Sequence, residues 1–296
     1  MNNILSPKKN NLKINTLCLG GGGSSGLGYI GSIEVLEEQE WFSLSNLDNY
    51  VSTSVGSIIS FFFVLGYSVS QIKDFLLMFD LNKIEPKIDC INLFNNYGLD
   101  NGEKIVEIAK SFLFEKFNIR EISFKKLHEL TNKKLRIIVT NYTKSETEIF
   151  DYVSRPEVSV FLAIRMSMSL PFIFTPVIFD NCYYVDGGLL KNFGIELCDP
   201  ETTIGISSSN TSENKLDSLI NYVNGLCQIF FTSANKKIPR HKFYYIKIES
   251  GINDSINFTF DRDRKYNLIN KGKDSAYNFL DYLQVKETMD DMLNQL

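Results

Sequence analysis

The chain has two histidines, one tryptophan and seven prolines among its 296 residues, and these scarcities narrow the chemistry open to it. Its five cysteines, Cys18, Cys90, Cys182, Cys198 and Cys227, show no CxxC spacing. With so few histidines no metal-ligand pattern forms, and no metal or other cofactor is expected. Such thiols read as reduced side chains packed as small hydrophobes. Basic residues are not in excess: the formal net charge is −4, so no field exists to hold nucleic acid. The most apolar stretch, Val55 to Tyr67, falls well short of the roughly 20 residues a spanning helix needs. The opening MNNILSPKKNNLKIN lacks an apolar h-region and a small-residue cleavage site. The expectation is a cytoplasmic chain without a secretory leader, at most peripheral at membranes. No Pro/Gly/Ser-rich linker, repeat or low-complexity tract divides the sequence.

What is present describes a globular protein, 44% hydrophobic and 22% charged. Leu12 to Leu19 alternates and then turns apolar before a glycine cluster, which reads as a strand. The cluster GGGGSSG, Gly20 to Gly26, cannot continue that strand. From Gly28, Ile30, Ile33, Val35 and Leu36 form a helical stripe ending near Trp41. A strand at Tyr50 to Thr53 runs into VGSIISFFFVLG, a helix apolar on nearly every side and therefore internal. Ser68 to Phe124 reads as helical and irregular, broken at Gly98 and Gly102. Further strands are expected at Leu135–Thr140, Glu148–Asp151, Val177–Phe179, Thr203–Ile206 and Phe243–Ile248, with a helix from Val158 to Met168. The last stretch reads as a polar helix docking through Tyr266, Leu268, Tyr277, Leu280 and Leu283. Alternating strands and helices predict an α/β fold with a mostly parallel central sheet covered on both faces.

Three segments carry chemistry. Glycines let backbone N–H groups crowd toward one point, so the loop Gly20 to Gly26, opening a helix, can hold a phosphate or an oxyanion. Gly21-x-Gly23-x-x-Gly26 also satisfies a dinucleotide fingerprint, but the next strand ends in Ser52 and Thr53 rather than an acid. No Gly-Lys-Ser/Thr follows, which argues against a P-loop. Ser52-Thr53-Ser54-Val55-Gly56 lies between a short strand and a buried helix, the context of a nucleophile elbow that exposes one hydroxyl. Small residues at 52 and 56 keep such a turn free of clashes. Val185-Asp186-Gly187-Gly188 sets a carboxylate at a strand end, where it could meet that hydroxyl; the competing reading is an Asp-Gly hairpin turn. His128 and His241 sit in no catalytic context, and Phe61, Phe62, Phe63 and Phe94 read as core before any acyl-chain role.

In this order, glycine loop, serine elbow, Asp-Gly-Gly, the chain resembles the patatin-like phospholipase family. AIRMSMSLPFIFTPV (Ala163 to Val177), LHELTNKKLRIIVTNYTK (Leu127 to Lys144) and Asn192 of DGGLLKN add to the likeness. The resemblance implies a three-layer α/β/α sandwich with a catalytic core over 14–206. Residues 68–124 would be a helical insertion or cap, and 207–296 C-terminal helices and a strand packed on the same domain. It also implies a catalytic dyad without histidine: Ser54 as nucleophile, Asp186 as proton acceptor, and the amides of Gly21, Gly22 and Gly23 as oxyanion hole. Gly26, Ser52, Gly56, Gly187 and Gly188 complete the motifs. Implied substrates are phospholipids, lysophospholipids or other acyl esters, met at a membrane or micelle surface; the oligomeric state is left open. Ser25 stands where the family has Arg or Lys, Ser52 where it has Gly, and Phe193-Gly194 where proline is common. Those departures motivate an alternative, a catalytically weakened lipid- or membrane-binding module. A nucleotide cradle built on the glycine loop is the second alternative.

Overall fold

The computed structural model describes residues 13–84, 89–210, 219–235, 242–250 and 261–293. In chain order the elements begin with β1 (Thr16–Leu19), α1 (Leu27–Glu38), β2 (Asn49–Thr53), α2 (Val55–Val64) and α3 (Val69–Met78). Next come α4 (Cys90–Asn96), β3 (Gly98–Asp100), α5 (Glu103–Phe117), α6 (Phe124–Thr131), β4 (Lys134–Asn141) and β5 (Glu146–Phe150). Then follow α7 (Val160–Ser167), β6 (Phe172–Phe174), β7 (Val177–Phe179), β8 (Cys182–Asp186) and α8 (Gly188–Lys191). The chain continues with β9 (Thr203–Asn210), α9 (Leu219–Asn235), β10 (Tyr244–Ser250) and α10 (Arg262–Leu293).

Eight of the described strands form one sheet, in the order β10-β9-β1-β2-β4-β8-β7, with β5 paired to β4. The five from β10 to β4 are mutually parallel; β8, β7 and β5 add antiparallel pairs at one side. Parallel strands are covered on both faces, so successive side chains must serve two cores. Leu17, Leu19, Tyr50, Ile137 and Val139 belong to the larger apolar cluster. Their neighbours Cys18, Val51 and Ile138 pack against Phe193 and Ile195 on the other. Flanking helices complete the mixed α/β fold expected from the sequence. No helix among the described residues is long and apolar enough to cross a membrane.

Two expectations are corrected and a third gains detail. The 68–124 segment is helical with breaks at Gly98 and Gly102, and the first break is itself a strand: Gly98 opens β3, which pairs in parallel with β6. Three residues are too few for a periodic signal, and the partner lies far along the chain. α10 docks less through its large side chains than expected. Leu268 and Leu280 are buried, but Tyr266 and Tyr277 are exposed, and Ile269 and Ala276 are buried instead. The reason is backbone proximity to α1: a Cβ on Gly272 would come within 1.8 Å of the Gly28 carbonyl, and one on Gly31 within 2.0 Å of the Ile269 carbonyl. Ser32 Oγ seals the contact by donating to Gly272 O at 2.7 Å. Where helices meet through glycine, large residues are displaced to the flanks. Last, Phe61, Phe62 and Phe63 are buried as expected, whereas Phe94 is 82% exposed.

Candidate active site

The parallel register brings the ends of β1, β2 and β4 to one edge of the sheet, where loops can converge. β2 leads through Ser54 directly into α2. At Ser54 the backbone turns with φ 51° and ψ −128°, a conformation that strains any residue with a Cβ and lifts its side chain clear of strand and helix. The turn is tight: a Cβ on Gly56 would approach the carbonyls of Leu19 and Gly20 to 2.7 and 2.8 Å. Ser52, at the elbow's first small position, is fully buried, and its hydroxyl has no partner among the described residues. α2 starts at Val55, so its positive end faces the Ser54 hydroxyl.

β8 runs antiparallel to β4 and ends at Asp186. Ser54 Oγ donates to Asp186 Oδ2 at 2.8 Å, although the two residues are 132 apart in the chain. The other carboxylate oxygen, Oδ1, accepts the Gly188 N–H at 2.7 Å. Asp186 is only 2% exposed, and burial pushes its carboxyl up to about 7; the Gly188 and Ser54 hydrogen bonds hold it down only in part. A carboxylate tuned to that range can take a hydroxyl proton and return it near neutral pH. Gly187 is needed for close approach, since a Cβ there would lie 2.3 Å from the Ile138 carbonyl.

The glycine loop closes over this pair in a short 3-10 turn, Gly23–Gly26, that leads into α1. Gly23 has φ 53°. Of the three amides expected to face an oxyanion, that of Gly21 is turned elsewhere: it donates to Asn192 O at 3.0 Å. Asn192 Nδ2 and Tyr29 Oη in turn hold the Gly21 carbonyl, at 3.3 and 3.2 Å. Gly21 is therefore an anchor. The amides of Gly22 and Gly23 have no backbone acceptor among the described residues. Gly26 packs against the elbow, where a Cβ would come within 2.9 Å of both methyls of Val55. Ser25, within the turn, is buried, and its hydroxyl is unpartnered among the described residues.

A further residue joins the two halves of the site. The buried Ser167 Oγ accepts the Ser54 N–H at 2.8 Å and donates to Ile138 O at 2.7 Å. Two residues on, Ser169 O accepts the Asp186 N–H at 2.9 Å. One short segment thus holds both the strained elbow and the strand end bearing the carboxylate. Arg165, mostly buried, fixes that segment through Ser169 Oγ and Thr175. The signal available in the sequence is the pair of hydroxyls in MSMS, polar atoms in an uncharged run that must find internal partners.

Ser54, Asp186, Asn192 and the loop glycines line a cavity of about 550 Å³. Ile59, Phe62, Phe75, Ile105, Leu170 and Phe174 form an apolar wall, while Ser207, Ser208, Tyr245 and Lys247 make a polar one. His128 is not part of this lining: its ring stacks on Tyr152 at 4.0 Å and Nδ1 meets Lys133 O at 3.0 Å. His241 lies outside the described residues.

A family model described as Patatin-like phospholipase matches residues 17–199. Uncharacterized protein R571 of Acanthamoeba polyphaga mimivirus is 30% identical over 218 residues, 72% of each chain. Probable lipid hydrolase 463L of Invertebrate iridescent virus 6 is 30% identical over 185 residues, 62% of each chain. In fold, the chain resembles VipD from Legionella pneumophila, with a TM-score of 0.63 at 16% identity, covering 91% of this chain and 67% of that one. It also resembles the type III effector protein ExoU of Pseudomonas aeruginosa. There the TM-score is 0.54 at 12% identity, and the match covers 92% of this chain but 53% of ExoU.

Proposed function

Because the chain belongs to the patatin-like phospholipase family, we propose that it hydrolyses the carboxylic esters of acyl lipids, phospholipids and lysophospholipids foremost, through an acyl-enzyme on Ser54. The observation that carries the reading is the 2.8 Å hydrogen bond from Ser54 Oγ to Asp186 Oδ2 beside a cavity with an apolar wall.

In the first step Asp186 Oδ2 takes the Ser54 proton as Oγ attacks the ester carbonyl. The carbonyl oxygen gains negative charge facing the amides of Gly22 and Gly23 and the positive end of α2. One such donor is typically worth about 3–4 kcal/mol of barrier. Gly21 contributes by fixing the loop, since its own amide is held by Asn192. Collapse of the intermediate expels the alcohol, which receives the proton from Asp186. Water then repeats the sequence on the acyl-enzyme, with Asp186 again as base, and releases the fatty acid. Gly188 keeps the carboxylate oriented by binding the oxygen that does not handle the proton.

Fatty-acid release from a panel of phospholipids and lysophospholipids tests the reading, with wild type beside Asp186→Asn. Release by wild type and none by the variant is expected. Equal release by both would remove Asp186 from the reaction. Vesicle binding by wild type without any release from about pH 5 to 9 would favour the weakened lipid-binding module.

A further inference from the structure

The protein exposes an uncharged, aromatic strip on the outside of the segment that walls the cavity. α4 buries none of its residues and presents Ile91 and Phe94, 74% and 82% exposed. Tyr97 follows at its C-cap, and Phe172 opens β6; the pairing of Gly98 with Phe172 makes them neighbours across two short strands. Both rings are exposed, and both residues have positive φ, 63° and 67°. That region disfavours bulky side chains and suits Gly or Asn. Both rings stay more than half exposed, 65% and 53%, so burial is a small return for that strain and folding alone gives little reason for an aromatic at either place. The conformation is nevertheless held firmly: Asn92 Nδ2 donates to Gly98 O at 2.7 Å, and Arg165 binds Asn101 O and Thr175 O on the two sides of the strand pair.

Charge narrows what could cover this strip. Residues 90–99 and 166–179 contain no Asp, Glu, Lys, Arg or His, in a chain that is 22% charged. The acids that bound the first run, Asp89 and Asp100, accept the Asn92 and Gly102 amides, so an anionic headgroup layer finds no counter-charge there, whereas a layer of apolar tails under neutral headgroups suits exposed Ile, Phe and Tyr. The strip is also continuous with the site, because Leu170 and Phe174, on either side of Phe172, line the cavity that holds Ser54. We propose that Ile91, Phe94, Tyr97 and Phe172 form the surface on which the protein docks to a neutral or zwitterionic lipid layer, an inference that rests on the acyl-lipid hydrolase reading.

Two double variants test it, Ile91→Asn/Phe94→Asn and Tyr97→Asn/Phe172→Asn, in co-sedimentation with phosphatidylcholine vesicles. Wild type should sediment, no more strongly when phosphatidylserine is added. Each variant should lose at least ~10-fold in partitioning, while hydrolysis of soluble p-nitrophenyl butyrate stays within about 2-fold of wild type. Tyr97→Asn/Phe172→Asn should also unfold at a higher temperature, because Asn tolerates the backbone that the aromatics do not. Wild type left in the supernatant, variants that sediment like wild type, or soluble-ester turnover falling in step with sedimentation would each overturn the docking surface. A wild type that sediments but cleaves no ester would count against the hydrolase reading alone, and the variant series would still decide the docking.

Discussion

Replacing Asp186 by asparagine removes a charge that the fold holds at a disadvantage, and the size of that disadvantage follows from the structure. Burial raises the carboxyl from 3.8 to about 7. The folded protein therefore keeps this proton to higher pH than the unfolded chain does. Below 3.8 both states are protonated and the group contributes nothing to the pH dependence. Between 3.8 and about 7, stability falls as pH rises, by ~1.4 kcal/mol per unit. Above that window the loss is complete, roughly 4 kcal/mol. Asparagine fits the same geometry: its Oδ1 can accept the Gly188 N–H and its Nδ2 can donate to Ser54 Oγ. Asp186→Asn should therefore be inactive yet more stable than wild type, and the gap should widen by ~2 kcal/mol between about pH 5.5 and 8.5. Urea unfolding curves at several pH values measure this directly. A gap that does not change with pH, or a variant less stable than wild type at the alkaline end, would refute the reasoning.

Three further outcomes follow from the same geometry. Turnover of a soluble ester should rise with pH as Asp186 loses its proton, reaching half its plateau near the value of about 7 set by burial; a flat profile from about pH 5 to 9 would contradict the assignment of base. Ser167→Ala leaves the Ser54 amide and the Ile138 carbonyl without their shared partner, so kcat should fall roughly 10- to 100-fold with KM little changed and stability lowered by about 1–3 kcal/mol, read from steady-state kinetics beside urea unfolding. Gly272→Ala sets a methyl 1.8 Å from the Gly28 carbonyl, so α10 must move off α1 and the unfolding midpoint should drop by the equivalent of about 1–3 kcal/mol or more.

Much of the fold could be read from the chain because its signals were local. β1, β2 and β4 announce themselves by apolar residues on both faces, and α2 by being apolar all round. Glycines at 20 to 23 and Asp186-Gly187-Gly188 mark turns that no other residues would make so readily. What could not be read depends on partners distant in sequence. Gly98 as a strand residue requires Phe172, and the close contact of Gly31 and Gly272 requires the backbone of α10 to lie on α1. At the site, Ser54 and Asp186 meet as their motifs suggest, but Gly21 does not offer its amide to the cavity because the Asn192 carbonyl reaches it first. Ser167 carries no local mark of its role, because a hydroxyl between helix and turn looks the same whether it faces water or a strained elbow. Phe94 differs from expectation for a related reason: an aromatic in an uncharged run looks like core, and only its exposure shows that this fold leaves it outside.

The central claim is tested most directly by locating the adduct formed with a lipophilic fluorophosphonate, using peptide mass spectrometry on wild type and Ser54→Ala. A single adduct on Ser54, formed faster at about pH 8.5 than at pH 6 and absent from the variant, is the expected result. An adduct on another residue, or equal labelling of Ser54→Ala, would contradict it.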